Sequence, residues 1–310
     1  MLLSALSFMS LLLAAPPLPL GPTPPTIAVP RHPDGRAELI LIGDTGDPGP
    51  LVETWKRTLR GERAKATLVL GDLLYPQAPP CPNGKLDRDG RAMIESHLRQ
   101  PFLQTGKPTF LMLGNHDTSW VDTENPKRDF CVLEYFRKDP KVRLPARAYA
   151  LDLGLAIVIV LDTNTLDDAQ ATFARATIAA HPSKRVLFAG HFVLKTYRDK
   201  DSEDLVRPWL VANDLHPELW MNGHAHILQF GVYDGIPALT SGTASRPRER
   251  APCNRAEGTG TCGEHELFGT STPGYATLEV VPAPDRPKGS RIVLTFKDLD
   301  RKALWTWEEP

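Results

Sequence analysis

The first thirty residues of this chain carry almost no charge, because residues 2–30 contain no Lys, Arg, Asp or Glu. Residues 2–15 are apolar but too short to span a bilayer comfortably, so we expect no stable membrane anchor here. Such a stretch is typical of a secretory signal, although no basic residue precedes it. We therefore predict a signal peptide at 1–20 and export to the periplasm or the extracellular space. The alternative is a disordered N-terminus, or a start codon that clips the basic region.

Cysteine is scarce, and none of the four residues forms a CxxC pair, which argues against a zinc ribbon or a thioredoxin-type site. Four cysteines allow three pairings. Cys253 and Cys262 flank a short glycine-containing loop and could close it, with Cys81 and Cys131 as the complementary pair. Export favours these disulfides. Four free thiols in a cytosolic protein are the alternative.

Neither sign of charge dominates the 310 residues, since 36 Lys and Arg face 37 Asp and Glu. This balance gives no reason to expect nucleic acid or an anionic membrane surface as a partner. A local basic pocket for a phosphate stays possible, because net charge does not describe pockets. Hydrophobic residues make up 41% of the chain, so we expect a globular protein.

Apolar strand-like runs alternate with helix-like segments from residue 38 onward. We predict helices at 51–60, 93–103, 167–180 and 202–212, and strands at 39–42, 67–70, 110–113, 155–161, 185–188, 219–221, 228–232, 238–240, 275–281 and 291–299. This alternation with short connections predicts α/β layers. We predict one domain at 37–310, preceded by a proline-rich spacer at 21–36.

One long stretch, residues 245–274, shows no regular pattern. It contains Arg246, Arg248 and Arg250 together with the two late cysteines. Loops of this length in compact domains are usually functional or disordered. A lid over a site and a solvated insertion pinned by a disulfide are the two interpretations.

Five strand-like runs are each followed by glycine and then by a residue type that binds metals. The dipeptides are Gly43-Asp44, Gly71-Asp72, Gly114-Asn115, Gly190-His191 and Gly223-His224. Ligands of α/β sheets bind beyond the carboxyl ends of the strands, so we expect these residues to meet at one edge. Glycine before each ligand relieves the crowding of backbones around an ion.

The candidate ligands form a mixed oxygen and nitrogen set of carboxylates, an amide, imidazoles and a phenol. Such a set suits iron, manganese or zinc. Seven candidates exceed the need of one ion, which predicts two ions that share a carboxylate. Two-metal sites make hydroxide available and hold both sides of an in-line phosphoryl displacement. Each residue alone is more typical of turn or core chemistry, so the prediction depends on the ordered set.

A resemblance to the calcineurin-like metallophosphoesterases follows from motifs that occur in order: GDTG (43–46), GDLLY (71–75), GNHD (114–117), GH (190–191) and GHAH (223–226). Gly46, where many members carry histidine, and Tyr75 make the chain resemble the purple acid phosphatases. The resemblance covers roughly residues 38–299. It implies a four-layer α-β-β-α sandwich with two mixed sheets, and a dinuclear site at the C-terminal ends of the strands of one catalytic domain.

The resemblance also assigns roles to single residues. The first metal would be held by Asp44, Asp72, Tyr75 and His226. The second would be held by Asp72, Asn115, His191 and His224, with Asp72 as the bridge. Tyrosine ligation implies Fe(III) in the first position, with Fe(II), Zn(II) or Mn(II) in the second. A metal-bound hydroxide would attack phosphorus, His116 would contact the phosphate and protonate the leaving group, and Asp117 would steady the His116 ring.

The segment after His191 departs from the pattern, because relatives usually carry another histidine there and this chain has none before residue 199. Lys195, Tyr197 or Arg198 could contact the substrate instead, or be ordinary surface residues. We predict hydrolysis of small phosphate monoesters of the acid-phosphatase type. A phosphodiesterase or nucleotidase on the same site, and a non-catalytic binding protein, are the alternatives. The oligomeric state stays open.

Overall fold

The strands of the chain are short and numerous. The computed structural model describes residues 24–79, 85–118, 128–136, 139, 141–195 and 203–309. The strands of these residues are β1 Thr26–Ala28, β2 Ala37–Ile42, β3 Ala66–Val69, β4 Thr109–Leu111, β5 Val142–Arg143, β6 Tyr149–Asp152, β7 Ala156–Val160, β8 Arg185–Ala189, β9 Leu219–Asn222, β10 Leu228–Tyr233, β11 Ile236–Ser241, β12 Cys253–Asn254, β13 Thr259–Gly260, β14 Glu266–Thr270, β15 Gly274–Pro282, β16 Ser290–Asp298 and β17 Ala303–Glu308.

Helices connect many of these strands. They are α1 Val52–Arg60, α2 Arg88–Met93, α3 Arg128–Phe136, α4 Asp168–Ala180 and α5 Glu203–Ala212. A π-helix, Ile94–Leu103, continues α2, and short 3-10 turns cover Gly49–Leu51, Asn115–Asp117 and Pro287–Gly289. The Asp87 and Asp167 side chains accept hydrogen bonds from the first turns of α2 and α4, which explains where these two helices begin.

The strands form two mixed sheets. One has the order β1-β6-β7-β8-β9-β11-β10-β14-β12-β13, and the other has the order β17-β16-β15-β2-β3-β4-β5. Strands β2, β3 and β4 run parallel, as do β7, β8 and β9. Their carboxyl ends, and the loops that follow, therefore lie at shared edges of the two sheets.

Alternate residues of the strands build the layers. In β2, Leu39 and Leu41 face a core between the two sheets, whereas Ile40 and Ile42 pack with Trp55 of α1. A third core lies under α4 and α5, on the outer face of the other sheet. A strand buried on both faces is a continuous apolar run rather than an alternating one. The predicted four-layer α-β-β-α sandwich with two mixed sheets is confirmed.

Two segments are more ordered than the sequence indicated. Within the predicted spacer, β1 pairs with β6 and Val29 is buried, so the folded domain begins before residue 37. Residues 245–274 contain β12, β13 and β14, which extend the larger sheet. Each segment joins its sheet through a partner strand distant in sequence, β6 for β1 and β10 for β14. The stretch at 245–274 is therefore irregular only outside β12, β13 and β14.

The predicted disulfides and the predicted signal peptide have different outcomes. The predicted disulfide between Cys253 and Cys262 is present. Cys81 of the second pairing lies outside the described residues, as does the predicted signal peptide. No helix in the described part of the chain combines the length and apolar character that crossing a bilayer requires.

Trp55 provides a test of the helix-to-sheet core. Its side chain is fully buried and lies 5.6 Å from the Phe102 ring, centroid to centroid. We expect Trp55→Ala to lower the free energy of unfolding by about 3–5 kcal/mol, because the change leaves a cavity. Leu205 is 43% exposed, so Leu205→Ala should cost below about 1 kcal/mol. Urea unfolding of both metal-free variants measures this, and equal losses would contradict the packing described.

Candidate metal centre

Five loops that follow strand ends meet at one place. Asp44 follows β2, Asp72 follows β3, Asn115 follows β4, His191 follows β8 and His224 follows β9. These are the positions at which the sequence placed a metal-binding residue type after glycine. The loops are close-packed: a Cβ on Gly114 would lie 2.2 Å from the Asp72 amide nitrogen, and one on Gly71 would lie 2.5 Å from His191 Nδ1. Glycine at these two positions therefore permits the approach of the ligand residues.

The first group of side chains surrounds the Tyr75 hydroxyl. That hydroxyl lies 2.7 Å from Asp72 Oδ2, 3.1 Å from Asp44 Oδ1 and 3.1 Å from His226 Nε2. Asp44, Asp72 and His226 are buried, and each offers a donor atom close enough to the others to share one metal ion. The four residues predicted for the first metal are thus brought together.

The second group surrounds His191. Its Nε2 lies 3.2 Å from Asp72 Oδ1, 3.1 Å from Asn115 Oδ1 and 3.3 Å from His224 Nδ1. Asp72, His191 and His224 form the second set of donors close enough to hold an ion. Asp72 belongs to both groups, one carboxylate oxygen toward each, which is the arrangement that a bridging carboxylate needs.

Backbone strain is concentrated in these loops. Asp44, Asp72, His224 and His226 have φ values of 57°, 50°, 68° and 58°. Non-glycine residues seldom adopt this left-handed conformation, and each instance costs about 1–3 kcal/mol unless the surroundings enforce it. Here the loops are anchored in two packed sheets, which enforce this conformation. The four side chains thereby point toward the centre, although the backbone conformation is unfavourable.

Backbone carbonyls orient two of the imidazoles. His191 Nδ1 donates to the Leu70 carbonyl at 2.8 Å, and His226 Nδ1 donates to the Arg246 carbonyl at 2.8 Å. A carbonyl only accepts, so the proton of each neutral ring lies on Nδ1 and Nε2 presents its lone pair to the centre. These carbonyls could not be predicted from the sequence, because a backbone acceptor has no residue-type signal.

Charge is poorly balanced in the first group. Burial, with the like charge of Asp72, raises the pKa of Asp44 well above its usual range. Asp44 Oδ2 is buried and has no hydrogen-bond partner among the described residues. Burial and the Asp44 and Asp72 carboxylates likewise raise the pKa of the Tyr75 phenol. An orphaned carboxylate oxygen beside a phenol is a fit for a hard cation, which would compensate both groups.

Imidazole protonation differs between the two groups. Burial disfavours the charged form of His191, but the attraction of Asp72 outweighs it and raises the pKa of His191 to about 9. The same ion pair holds the pKa of Asp72 below its usual range, although burial opposes this. Burial and the nearby Arg248 cation lower the pKa of His226 to about 4.

His116 and Asp117 lie beside Asp72 but contact different partners than expected. The His116 amide donates to Asp72 Oδ1 at 3.0 Å, and its Nδ1 donates to the Pro76 carbonyl at 2.5 Å. The Asp117 carboxylate accepts from the backbone amides of Leu73, Leu74 and Gly114. A carbonyl, not Asp117, therefore orients the His116 ring, and Asp117 joins the two loops that carry Asp72 and Asn115.

A buried ion pair supports the Asn115 loop from behind. Arg147 Nε donates to Asp162 Oδ2 at 2.7 Å, and both side chains are 2% exposed. Asp162 Oδ1 in turn accepts from Asn164 Nδ2, which also lies 3.3 Å from the Gly114 carbonyl. Neither Arg147 nor Asn164 was predicted to belong to the site, because only the tertiary structure places them behind the loop.

Of the three residues after His191 that were predicted to contact the substrate, the structure describes only Lys195. Lys195 is exposed and lines a cavity of about 180 Å³ with Gln229, Tyr233 and His265. None of the seven predicted metal ligands lines this cavity. Tyr197 and Arg198 lie outside the described residues.

The fold and the site together define a class of protein. The family model for calcineurin-like phosphoesterases matches residues 38–228, which is more than half of the chain, so the chain belongs to this family. A search of curated proteins gives no match. Metal-dependent hydrolysis of phosphoesters, with a dinuclear site, is the general chemistry of this family.

Solved structures agree with the fold. GAP50 of Plasmodium, described as the anchor in the inner membrane complex, is 15% identical with a TM-score of 0.63, and the match covers 88% of each chain. PhoD is 11% identical with a TM-score of 0.53, and the match covers 91% of this chain and 73% of that one. At these identities the likeness concerns the fold alone.

The raised pKa of His191 predicts how metal binding depends on pH. A ligand imidazole must be neutral, so below about pH 9 a metal ion has to displace the His191 proton. We expect the apparent zinc affinity to rise at least about tenfold per pH unit below that pH, because the other protonated ligands have to release protons as well. Competition with a chromophoric chelator measures the affinity, and a pH indicator measures the released proton. Affinity that does not change with pH would contradict this assignment.

Proposed function

We propose that the chain hydrolyses phosphate monoesters at a dinuclear metal centre of the purple acid phosphatase type. The observation that carries the proposal is the placement of Asp72, which faces Asp44, Tyr75 and His226 on one side and His191 on the other. With Asn115 and His224, seven donors surround two positions that share one carboxylate. Calcineurin-like membership supports hydrolysis of phosphoesters in general, and the monoester specificity is our extension.

The chemistry of the donors supports the choice of ions. Tyr75 and Asp44 are hard anionic donors, which favour Fe(III) in the first position. Asn115, His191 and His224 add an amide oxygen and two imidazoles, which suit Fe(II), Zn(II) or Mn(II) in the second. When bound, the metal pair would supply Lewis acidity to the phosphoryl oxygens and an activated water. The orphaned Asp44 Oδ2 is consistent with a cation in the first position.

His116 is the residue best placed to donate a proton to the leaving group. Its Nδ1 proton is committed to the Pro76 carbonyl, and its Nε2 has no hydrogen bond within the described residues. When the imidazolium gives up the Nε2 proton, the neutral ring that remains is the tautomer that Pro76 already stabilises. Asp117 holds the backbone of this loop, so its contribution is to position His116 and Asn115.

A purely binding role is the competing hypothesis, since GAP50 is described as an anchor and a fold does not determine function. All seven donors and His116 are retained here in positions that converge. A chain that only anchors a partner has no need of such a set. The convergence therefore favours an enzyme.

Export is part of the proposal. The disulfide between Cys253 and Cys262 is typical of an oxidising compartment, which is consistent with a periplasmic or extracellular location. We propose the apolar segment at residues 1–20 as the signal peptide. A small phosphorylated molecule is the expected substrate.

Hydrolysis of a chromogenic phosphate monoester and its matching diester, from about pH 4 to 9, tests the activity. We expect monoester turnover with an acidic optimum. Asp72→Asn should lower turnover at least about a hundredfold, because the metals contribute several kcal/mol of charge stabilisation. Asp152→Asn, at a surface ion pair with Lys184, is the matched control and should keep both metal and activity.

The outcomes of this assay separate the hypotheses. Turnover that prefers the diester would keep the metal centre and replace the monoesterase proposal by a phosphodiesterase. Protein that binds metal stoichiometrically and turns over neither ester would support the binding hypothesis instead.

Visible absorption tests Tyr75 as an iron ligand. Burial and two carboxylates keep the phenol protonated, so only a bound cation would stabilise the phenolate. We expect iron-loaded protein to be coloured and Tyr75→Phe to lose or shift the band. Tyr149→Phe is the control, because this buried tyrosine donates to the Leu111 carbonyl and not to the metal centre. A colourless protein with equimolar iron would refute the assignment.

A further inference from the structure

A short segment lies across the metal centre and is attached to two of its ligand residues. We name residues 245–250 the arginine arm, after Arg246, Arg248 and Arg250. The Ser245 hydroxyl donates to the Asp44 carbonyl at 2.5 Å, and the Arg248 amide donates to the His226 carbonyl at 2.9 Å. The arm is therefore hydrogen-bonded to Asp44 and to His226, two residues of the first group of donors.

Two arginines of the arm are committed to structural contacts. The Arg246 guanidinium lies 5.0 Å from the centre of the Tyr75 ring and pairs with Asp47 Oδ2 at 2.7 Å. Arg250 is buried and pairs with Glu266 at 2.5 Å, close to the Cys253–Cys262 disulfide. These contacts fix the arm on both sides of Arg248.

Arg248 is different from its two neighbours. Its side chain is exposed and makes no hydrogen bond or ion pair within the described residues. Its backbone amide nitrogen nevertheless lies only 2.9 Å from the His226 carbonyl oxygen, so its side chain starts beside a ligand residue of the centre. A guanidinium that is held near a site by a rigid main chain, but that is not used by the protein itself, is available to an anion.

The three residues that directly follow His191 supply no cation to the centre. Residues 192–194, which follow His191, are Phe, Val and Leu, and all three side chains are buried. Phe192 packs edge-on against the His224 ring, with centroids 4.8 Å apart. The centre is therefore lined by apolar side chains at this position, whereas the arginine arm places the exposed Arg248 next to His226.

We propose that Arg248 binds the phosphate group of the substrate and selects dianionic monoesters over monoanionic diesters. This inference rests on the proposed hydrolysis and specifies its substrate class. A guanidinium forms two parallel charge-assisted hydrogen bonds with phosphate oxygens. A monoester dianion has three free oxygens and two charges, whereas a diester has two free oxygens and one charge. With one oxygen directed to the metal pair, a monoester would still offer two oxygens to the fork, and a diester only one. Arg248 is thus a specificity-determining residue of the metal centre.

The test compares Arg248→Gln with two other variants. Arg248→Lys keeps the charge but not the fork. Arg57→Gln is the matched control, since Arg57 is an exposed arginine in the last turn of α1, a helix that leads away from the metal centre. For each metal-loaded protein we would measure kcat and KM for the monoester and the diester. Calorimetry with inorganic phosphate measures binding without turnover.

We expect Arg248→Gln to raise the KM for the monoester and the Kd for phosphate about ten- to a hundredfold, the effect of a charge-assisted hydrogen bond. The KM for the diester should change less than about threefold, with kcat affected little. Arg248→Lys should recover part of the loss, and Arg57→Gln should behave as the wild type. Metal content and thermal unfolding should stay unchanged, because the Arg248 side chain has no structural contact.

Unchanged monoester KM and phosphate affinity in Arg248→Gln would overturn the inference while leaving the hydrolase proposal intact. Loss of metal in that variant would also overturn it, because Arg248 would then support His226 rather than a phosphate. A wild-type protein that hydrolyses no ester would refute the proposed function. Phosphate calorimetry would still decide whether Arg248 binds the anion.

Discussion

The buried carboxylate of Asp72 is the contact on which the arrangement of the centre depends. One oxygen accepts from the Tyr75 hydroxyl, and the other lies by His191 Nε2 and accepts from the His116 amide. A fully buried carboxylate is costly unless it is paired and hydrogen-bonded. These partners come from three loops, so satisfying Asp72 requires those loops to converge. The geometry of both groups of donors follows from that requirement.

Two stacked sheets supply the rigidity that this convergence needs. Four of the donors have left-handed backbone, and isolated loops would relax from that conformation. The parallel strands β2, β3 and β4 fix one set of loop origins, and β8 and β9 fix the other. Supporting groups such as Asp117 and the Arg147–Asp162 pair then join neighbouring loops. The layers thereby maintain a strained centre with poorly compensated carboxylates, which a cation would complete.

The arginine arm shows how a segment without a clear sequence pattern becomes part of the centre. Its carbonyl at Arg246 sets the tautomer of His226, and its side chains divide into two that hold the arm and one that faces solvent. Orientation of a ligand and presentation of a cation are thus combined in a single segment. Neither the lid nor the solvated insertion considered from the sequence describes this arrangement fully.

The sequence by itself determined the α/β layers and the strand-end positions of Asp44, Asp72, Asn115, His191 and His224, whereas for Cys253 and Cys262 it indicated one of three possible pairings. It did so because apolar runs and the glycines before ligands are local signals. Only the tertiary structure decided the pairing of β1 with β6 and of β14 with β10, the carbonyl partner of His116, and the different contacts of three nearby arginines. Those features depend on residues that are distant along the chain and on backbone atoms, which no residue pattern encodes.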